Sequence, residues 1–195
     1  MSSKLLYPKI QQFIDENLYT DIQKLLLSRN KIENVPVKEI VEQIICKKKS
    51  KKKLPTWFNT SKILYPKKNN IEQTSSEVTA HYKAQLFSGK SMVDLTSGFG
   101  VDSYYFSKQF QHITLCESNT LLLNKVKHNY SLLKVSNASF FQGNSIDYLK
   151  NISNTVDLIY IDPARRNNTQ RVFLLEDCNP NVVELHPLLF EKSNR

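Results

Sequence analysis

Glycine is scarce in this chain: 195 residues contain four. Two of them stand two positions apart in DLTSGFGVDS, residues 94–103. Cysteine is rarer still. Cys46, Cys116 and Cys178 are odd in number, far apart and without metal-ligand spacing, which points to free thiols in a reducing, cytoplasmic setting. The four histidines, His81, His112, His128 and His186, share no spacing that would make a metal or catalytic set. No apolar run approaches the ~18 residues that span a bilayer. The opening MSSKLLYPKIQQFIDEN has acids and glutamines where a signal peptide needs unbroken apolar sequence. These absences predict a soluble protein with neither membrane nor metal as a partner.

What is present is positive charge, unevenly spread. The net charge is +9, and residues 1–75 carry 15 Lys+Arg against 7 Asp+Glu, while residues 76–195 carry 12 against 11. That shift separates a basic helical region, 1–73, from a second region, 74–195. Lys47, Lys48, Lys49, Lys51, Lys52 and Lys53 fill six of seven consecutive positions. Their mutual repulsion suits a solvated helix end or linker. The alternative is a nucleic-acid surface, with the lysines displacing counterions from phosphates and Trp57 and Phe58 stacking on a base.

Hydropathy periods supply the elements. Ile10, Phe13 and Ile14 share a helical face, as do Ile22, Leu25 and Leu26. Val37, Ile40, Val41, Ile44 and Ile45 form a longer stripe, with Pro36 tolerated at the helix start. Thr74 and Glu77 have capping-box spacing, which predicts a helix leading into the second region. From there strand and helix patterns alternate: strands at 91–95, 112–117, 138–142 and 156–161, helices at 101–109, 120–134 and 145–152. The alternation predicts a parallel α/β sheet covered on both faces. VDLIYI (156–161) is apolar enough to demand its middle, and 180–191 reads as a last helix beginning at Pro180.

Ligands of such sheets sit beyond the carboxyl ends of the strands. Three strands end in acids: Asp94 before the loop Thr96-Ser97-Gly98-Phe99-Gly100, Glu117, and Asp162-Pro163; Asn144 follows the remaining strand. A dinucleotide fingerprint would want a third glycine where Ser103 stands, and Asp94 would repel a pyrophosphate. An acid there suits an amino group instead, and Glu117 suits the two hydroxyls of a ribose. A ligand with an amino acid at one end and a ribose at the other is S-adenosylmethionine.

These residues resemble the motifs of class I S-adenosylmethionine-dependent methyltransferases. More narrowly, KLPTW, EQTSSEVTAHYKA, IDPARR and LEDCNP resemble bacterial methyltransferases bearing a THUMP-like domain, from the N-terminal helices to about residue 190. The resemblance implies a Rossmann-like fold preceded by a helical region. It implies that Gly98 and Gly100 let the main chain pass the cofactor's methionine part, that Asp94 holds its amino group directly or through water and Glu117 its ribose, and that Thr96 lies in the same loop. Asn144 stands where the family usually has Asp, facing the adenine amino group. Asp162 and Pro163 lie nearest the departing methyl.

The substrate is less legible. Asp162-Pro163-Ala164-Arg165 lacks the aromatic residue of the pattern used on base amino nitrogens. The basic first region and the THUMP-like association favour RNA, with Arg165 and Arg166 either phosphate anchors or solvated surface. A non-catalytic RNA-binding module is the alternative. Class I methyltransferases have seven strands and four can be counted here, so the resemblance implies a sheet truncated after the fourth. VDLIYI would then be an exposed edge able to pair with another chain.

Overall fold

The computed structural model describes residues 3–27, 31–164, 166–167, 170–171 and 174–193. The first region is helical: α1 (Pro8–Glu16), α2 (Ile22–Leu27), α3 (Val37–Lys53), α4 (Pro55–Asn59) and α5 (Lys68–Gln73). Ile10 and Ile14 of α1 and Ile40 and Ile44 of α3 are buried together with Leu5, Val35 and Leu64. The lysine run is no linker. It completes α3, where basic side chains suit the negative end of the helix dipole, and several lysines are tied down. Lys47 pairs with Asp15, Lys49 pairs with Glu72, and Lys53 Nζ donates to the Ile71 and Glu72 carbonyls at 2.9 and 2.8 Å.

Next comes α6 (Glu77–Gln85), but Thr74 does not cap it. Ser76 does, its hydroxyl accepting the Thr79 N–H at 3.1 Å. Glu77 is not part of a capping box either. Its carboxylate turns inward and accepts from the Thr56 N–H at 2.6 Å, the Thr56 hydroxyl at 2.7 Å and the Tyr105 hydroxyl at 2.8 Å. Three donors on one buried acid beat a local cap.

The α/β part follows as β1 (Gly89–Asp94), α7 (Val101–Phe106), β2 (Phe110–Glu117), α8 (Thr120–Leu132), β3 (Ala138–Gln142), α9 (Ser145–Asn151) and β4 (Leu158–Tyr160). The polar loop expected after Asp162 contains two short paired strands, β5 (Arg166–Asn167) and β6 (Gln170–Arg171), before α10 (Val182–Lys192). The helix begins at Val182 rather than at Pro180, and Asn181 caps it, its side chain accepting from the Val183 and Glu184 N–H groups.

The main sheet is all-parallel in the order β3-β2-β1-β4. Among the described residues VDLIYI therefore lies at the edge, as expected for a sheet that stops at its fourth strand, and not in the middle that its apolar character suggested. Its apolar character has another cause, helices on both faces. Leu158 and Tyr160 pack with Phe106, Ala80 and Ala84, while Ile159 and Ile161 pack with Leu149, Leu188 and Leu189. The Val156 N–H donates to the Lys192 carbonyl at 2.9 Å, so the approach to this strand is met by the end of α10.

The two regions share a core in which Leu54, Trp57 and Tyr65 pack with Phe99, Tyr104 and Tyr130. Two side-chain amides clamp the connecting segment. Gln43 exchanges two hydrogen bonds with the Tyr65 backbone, at 2.8 and 2.9 Å, and Asn129 does the same with Leu64, at 2.9 and 3.0 Å. Each amide stands in for a strand neighbour, which fixes the helical region against α8. Among the described residues no helix is long and apolar enough to cross a membrane.

Candidate active site

An open cavity of about 1150 Å³ lies beyond the carboxyl ends of the four parallel strands. Asp94, Thr96, Gly98, Glu117, Asn144, Asp162 and Pro163 all line it, so the strand-end residues singled out from the sequence converge. The turn after β1 is built from its own backbone. The Gly100 N–H donates to the Ser97 carbonyl at 2.7 Å, and the Ser97 hydroxyl donates to the Cys116 carbonyl at 3.0 Å.

The two glycines do different work. Gly98 has φ +52°, and a Cβ there would have open space, its nearest contact being the Thr96 carbonyl at 3.8 Å. Gly100, at φ +75°, does not line the cavity. A Cβ on it would meet Val126 at 3.0 Å and Tyr130 at 3.1 Å, and its carbonyl accepts the Tyr130 hydroxyl at 2.7 Å. Close packing on α8 is a reason for glycine at this position.

Asp94 is 1% exposed. Its Oδ1 accepts the Thr96 N–H at 2.9 Å and its Oδ2 the Ser103 hydroxyl. Burial pushes its pKa up to about 7, and the charges of Asp102 and Asp162 add to the rise, against the lowering effect of the two hydrogen bonds. Glu117 is partly buried, which raises its pKa, and its Oε1 accepts the Asn119 N–H at 2.7 Å. Asn144 caps α9, its Oδ1 accepting the Ile146 N–H at 2.8 Å. An amide oxygen has a second lone pair for a ligand. The Thr96 hydroxyl accepts the Asp162 N–H at 2.8 Å.

Other expected residues lie elsewhere. The six lysines do not line the cavity. They reach it indirectly, because Lys49 and Lys53 hold α5, whose Asn70 and Gln73 form part of the wall. Trp57 cannot stack on a base: it is wholly buried, edge-on to Tyr104 at 5.0 Å. Tyr19 is the aromatic exposed beside the run, with Lys48 and Lys51 5.6 and 5.3 Å from its ring centre. Arg165 and the side chain of Arg166 fall outside the described residues.

Sequence reasoning missed a polar cluster at the Asp94 end of the cavity. Lys83 Nζ donates to the Tyr160 hydroxyl at 2.7 Å and the Ser75 hydroxyl at 3.1 Å, and lies 3.2 Å from Asp102 Oδ1. Ser75, Asp102 and Tyr160 all line the cavity. Asp102 carried a signal, standing two residues past the glycine turn, whereas Lys83 and Tyr160 carried none. Asn179 also joins the wall, exchanging backbone hydrogen bonds with Ala164 at 2.9 and 3.2 Å. Among the described residues no group of three His, Cys, Asp or Glu is placed to hold a metal.

A four-stranded parallel sheet with an acid-lined cavity at its carboxyl ends defines a Rossmann-like fold of the methyltransferase type. A crystal structure of a candidate methyltransferase from Porphyromonas gingivalis W83 superposes with a TM-score of 0.80 at 28% identity, over 98% of this chain and 47% of that one. Residues 42–180 match the family described as conserved hypothetical protein 95, and the chain belongs to that family. Two curated relatives are RNA methyltransferases, themselves uncharacterized. One, from Mycoplasma mobile, is 29% identical over 123 residues, covering 61% of this chain and 32% of the relative. The other, from Thermotoga maritima, is 29% identical over 98 residues, covering 50% and 22%. The chain thus spans about a third or less of the curated relatives it matches.

Proposed function

We propose that the protein is an S-adenosylmethionine-dependent methyltransferase acting on RNA. The observation that carries this reading is the carboxylate lining of the cavity at the strand ends. Asp94, Asp102 and Asp162 line the cavity and would suit an ammonium, and Glu117, which also lines it, would suit the hydroxyls of a ribose. A Cβ on Gly98 would meet open space, so its backbone would let a ligand approach. When bound, such a cofactor supplies a methyl group made electrophilic by a sulfonium.

The chain's own residues would do the rest. Glu117 would accept from the two ribose hydroxyls, a charge-assisted pair. Asn144 would accept from the adenine amino group. Asp162, in the loop tied to Thr96, would accept a hydrogen bond or a proton from the attacking group, with Pro163 shaping the wall beside it. The names of the curated relatives, the basic α3 surface and the resemblance to methyltransferases with a THUMP-like domain support RNA as the substrate. A cytoplasmic setting fits three buried free cysteines; burial pushes the Cys46 and Cys116 thiols up to about 12, far from reactivity.

Calorimetric titration with S-adenosylmethionine and S-adenosylhomocysteine tests the reading. Saturable heat with both supports it. No heat and no thermal shift with either would favour a non-catalytic RNA-binding module instead.

A further inference from the structure

The acid at the end of β1 is poorly placed to receive a cation. Asp94 is 1% exposed and both of its oxygens already accept hydrogen bonds, from Thr96 and Ser103. Burial pushes its pKa up to about 7, so it is partly neutral near physiological pH.

A neighbouring carboxylate has the opposite properties. Asp102 lines the same cavity with 12% of its side chain exposed, against 1% for Asp94. The Lys83 ammonium pairs with Asp102 Oδ1 at 3.2 Å while donating to Tyr160 and Ser75, which fixes the carboxylate at the cavity wall. Asp94, Asp102 and Asp162 also place three acidic side chains at this end against one lysine, which favours a cationic group.

We propose that Asp102, rather than Asp94, receives the ammonium of the ligand's amino-acid end, while Asp94 holds the shape of the loop behind it. The assignment rests on the cofactor reading above. It moves the charge recognition from the strand end to the first turn of α7, and it gives the Asp94–Ser103 and Asp94–Thr96 bonds a purpose of their own.

The test is a cycle between ligand and protein, read by calorimetry. The ligands are S-adenosylhomocysteine and the same molecule with its amino group replaced by hydrogen. In the parent chain, losing the amino group should weaken binding about tenfold or more. In Asp102→Asn the same loss should cost less than about twofold, with the deaminated ligand bound as by the parent. In Asp94→Asn it should still cost about tenfold. An undiminished amino-group effect in Asp102→Asn, or its disappearance in Asp94→Asn instead, would overturn the assignment. Binding of the deaminated ligand certifies that a variant is folded; if Asp102→Asn does not fold, Asp102→Ser is read by the same criterion. Failure of S-adenosylhomocysteine to bind the parent would overturn the proposed function itself, a result distinct from any change confined to the variant.

Discussion

The Asp162 backbone N–H donates to the Thr96 hydroxyl at 2.8 Å, joining the end of the outermost strand to the loop that follows β1. The two walls of the cavity are thereby set against each other by a single side chain. Thr96→Val removes the acceptor while keeping the shape. It should cost roughly 0.5–1.5 kcal/mol of stability and weaken S-adenosylhomocysteine several-fold as the Asp162-Pro163 wall drifts. Unfolding in urea and calorimetry measure the two effects, and unchanged affinity would show that the tie does not position the wall.

Asp94 should give stability a distinct pH dependence. Its folded pKa of about 7 lies above the ordinary ~3.9 of an unfolded aspartate. Between these values the folded chain holds a proton that the unfolded chain has lost. Its contribution is therefore fully present below about pH 4 and lost as pH rises to about 7, by at most ~1.4 kcal/mol per pH unit. From pH 5 to about 7 the melting temperature of the parent should fall relative to that of Asp94→Asn, and the difference should level off by pH 8. Parallel curves would exclude the buried, titrating acid.

Glu117 has a structural duty beside its proposed one, since its Oε1 accepts the Asn119 N–H at 2.7 Å. Glu117→Ala should weaken nucleoside binding by roughly 2–3 kcal/mol and destabilise the fold by about 1 kcal/mol. Glu117→Gln keeps an acceptor for Asn119, so it should restore the melting temperature yet leave binding impaired. Equal affinity in Gln variant and parent would argue against a charged grip on ribose.

The lysine run should divide into two groups. Lys48 and Lys52 are exposed, and replacing both with Gln should flatten the salt dependence of single-stranded RNA binding by about 1–2 slope units without changing the melting temperature. Lys47 and Lys53 are partly buried against Asp15 and the end of α5. Replacing them should lower the melting temperature. An unchanged salt slope in the first variant would return the run to a purely structural role.

How much of this was legible depends on the distance over which each feature is decided. The strands and most helices follow from hydropathy period, because side chains alternate every two residues in a strand and recur every 3.6 in a helix. The strand-end acids Asp94, Glu117 and Asp162 were legible for the same reason, since each directly follows an apolar run. Helix caps were less so. Thr74 and Ser76 offer similar hydroxyls, and the choice fell to Ser76 once Glu77 found Thr56 and Tyr105 from two other helices.

Chain composition by itself determined that this protein has a basic helical region followed by alternating strands and helices, with a glycine turn and acids where a small ligand would meet the sheet. Only the tertiary structure decided that Gly100 answers to Val126 and Tyr130, that Trp57 is core rather than a stacking surface, and that helices cover both faces of VDLIYI. It alone brought Lys83, Asp102 and Tyr160 together at the cavity. The physical reason is one of range. Backbone sterics and side-chain periodicity act between neighbours in sequence, whereas strand order, burial and the pairing of charges depend on which distant segments come to share a space from which water is excluded.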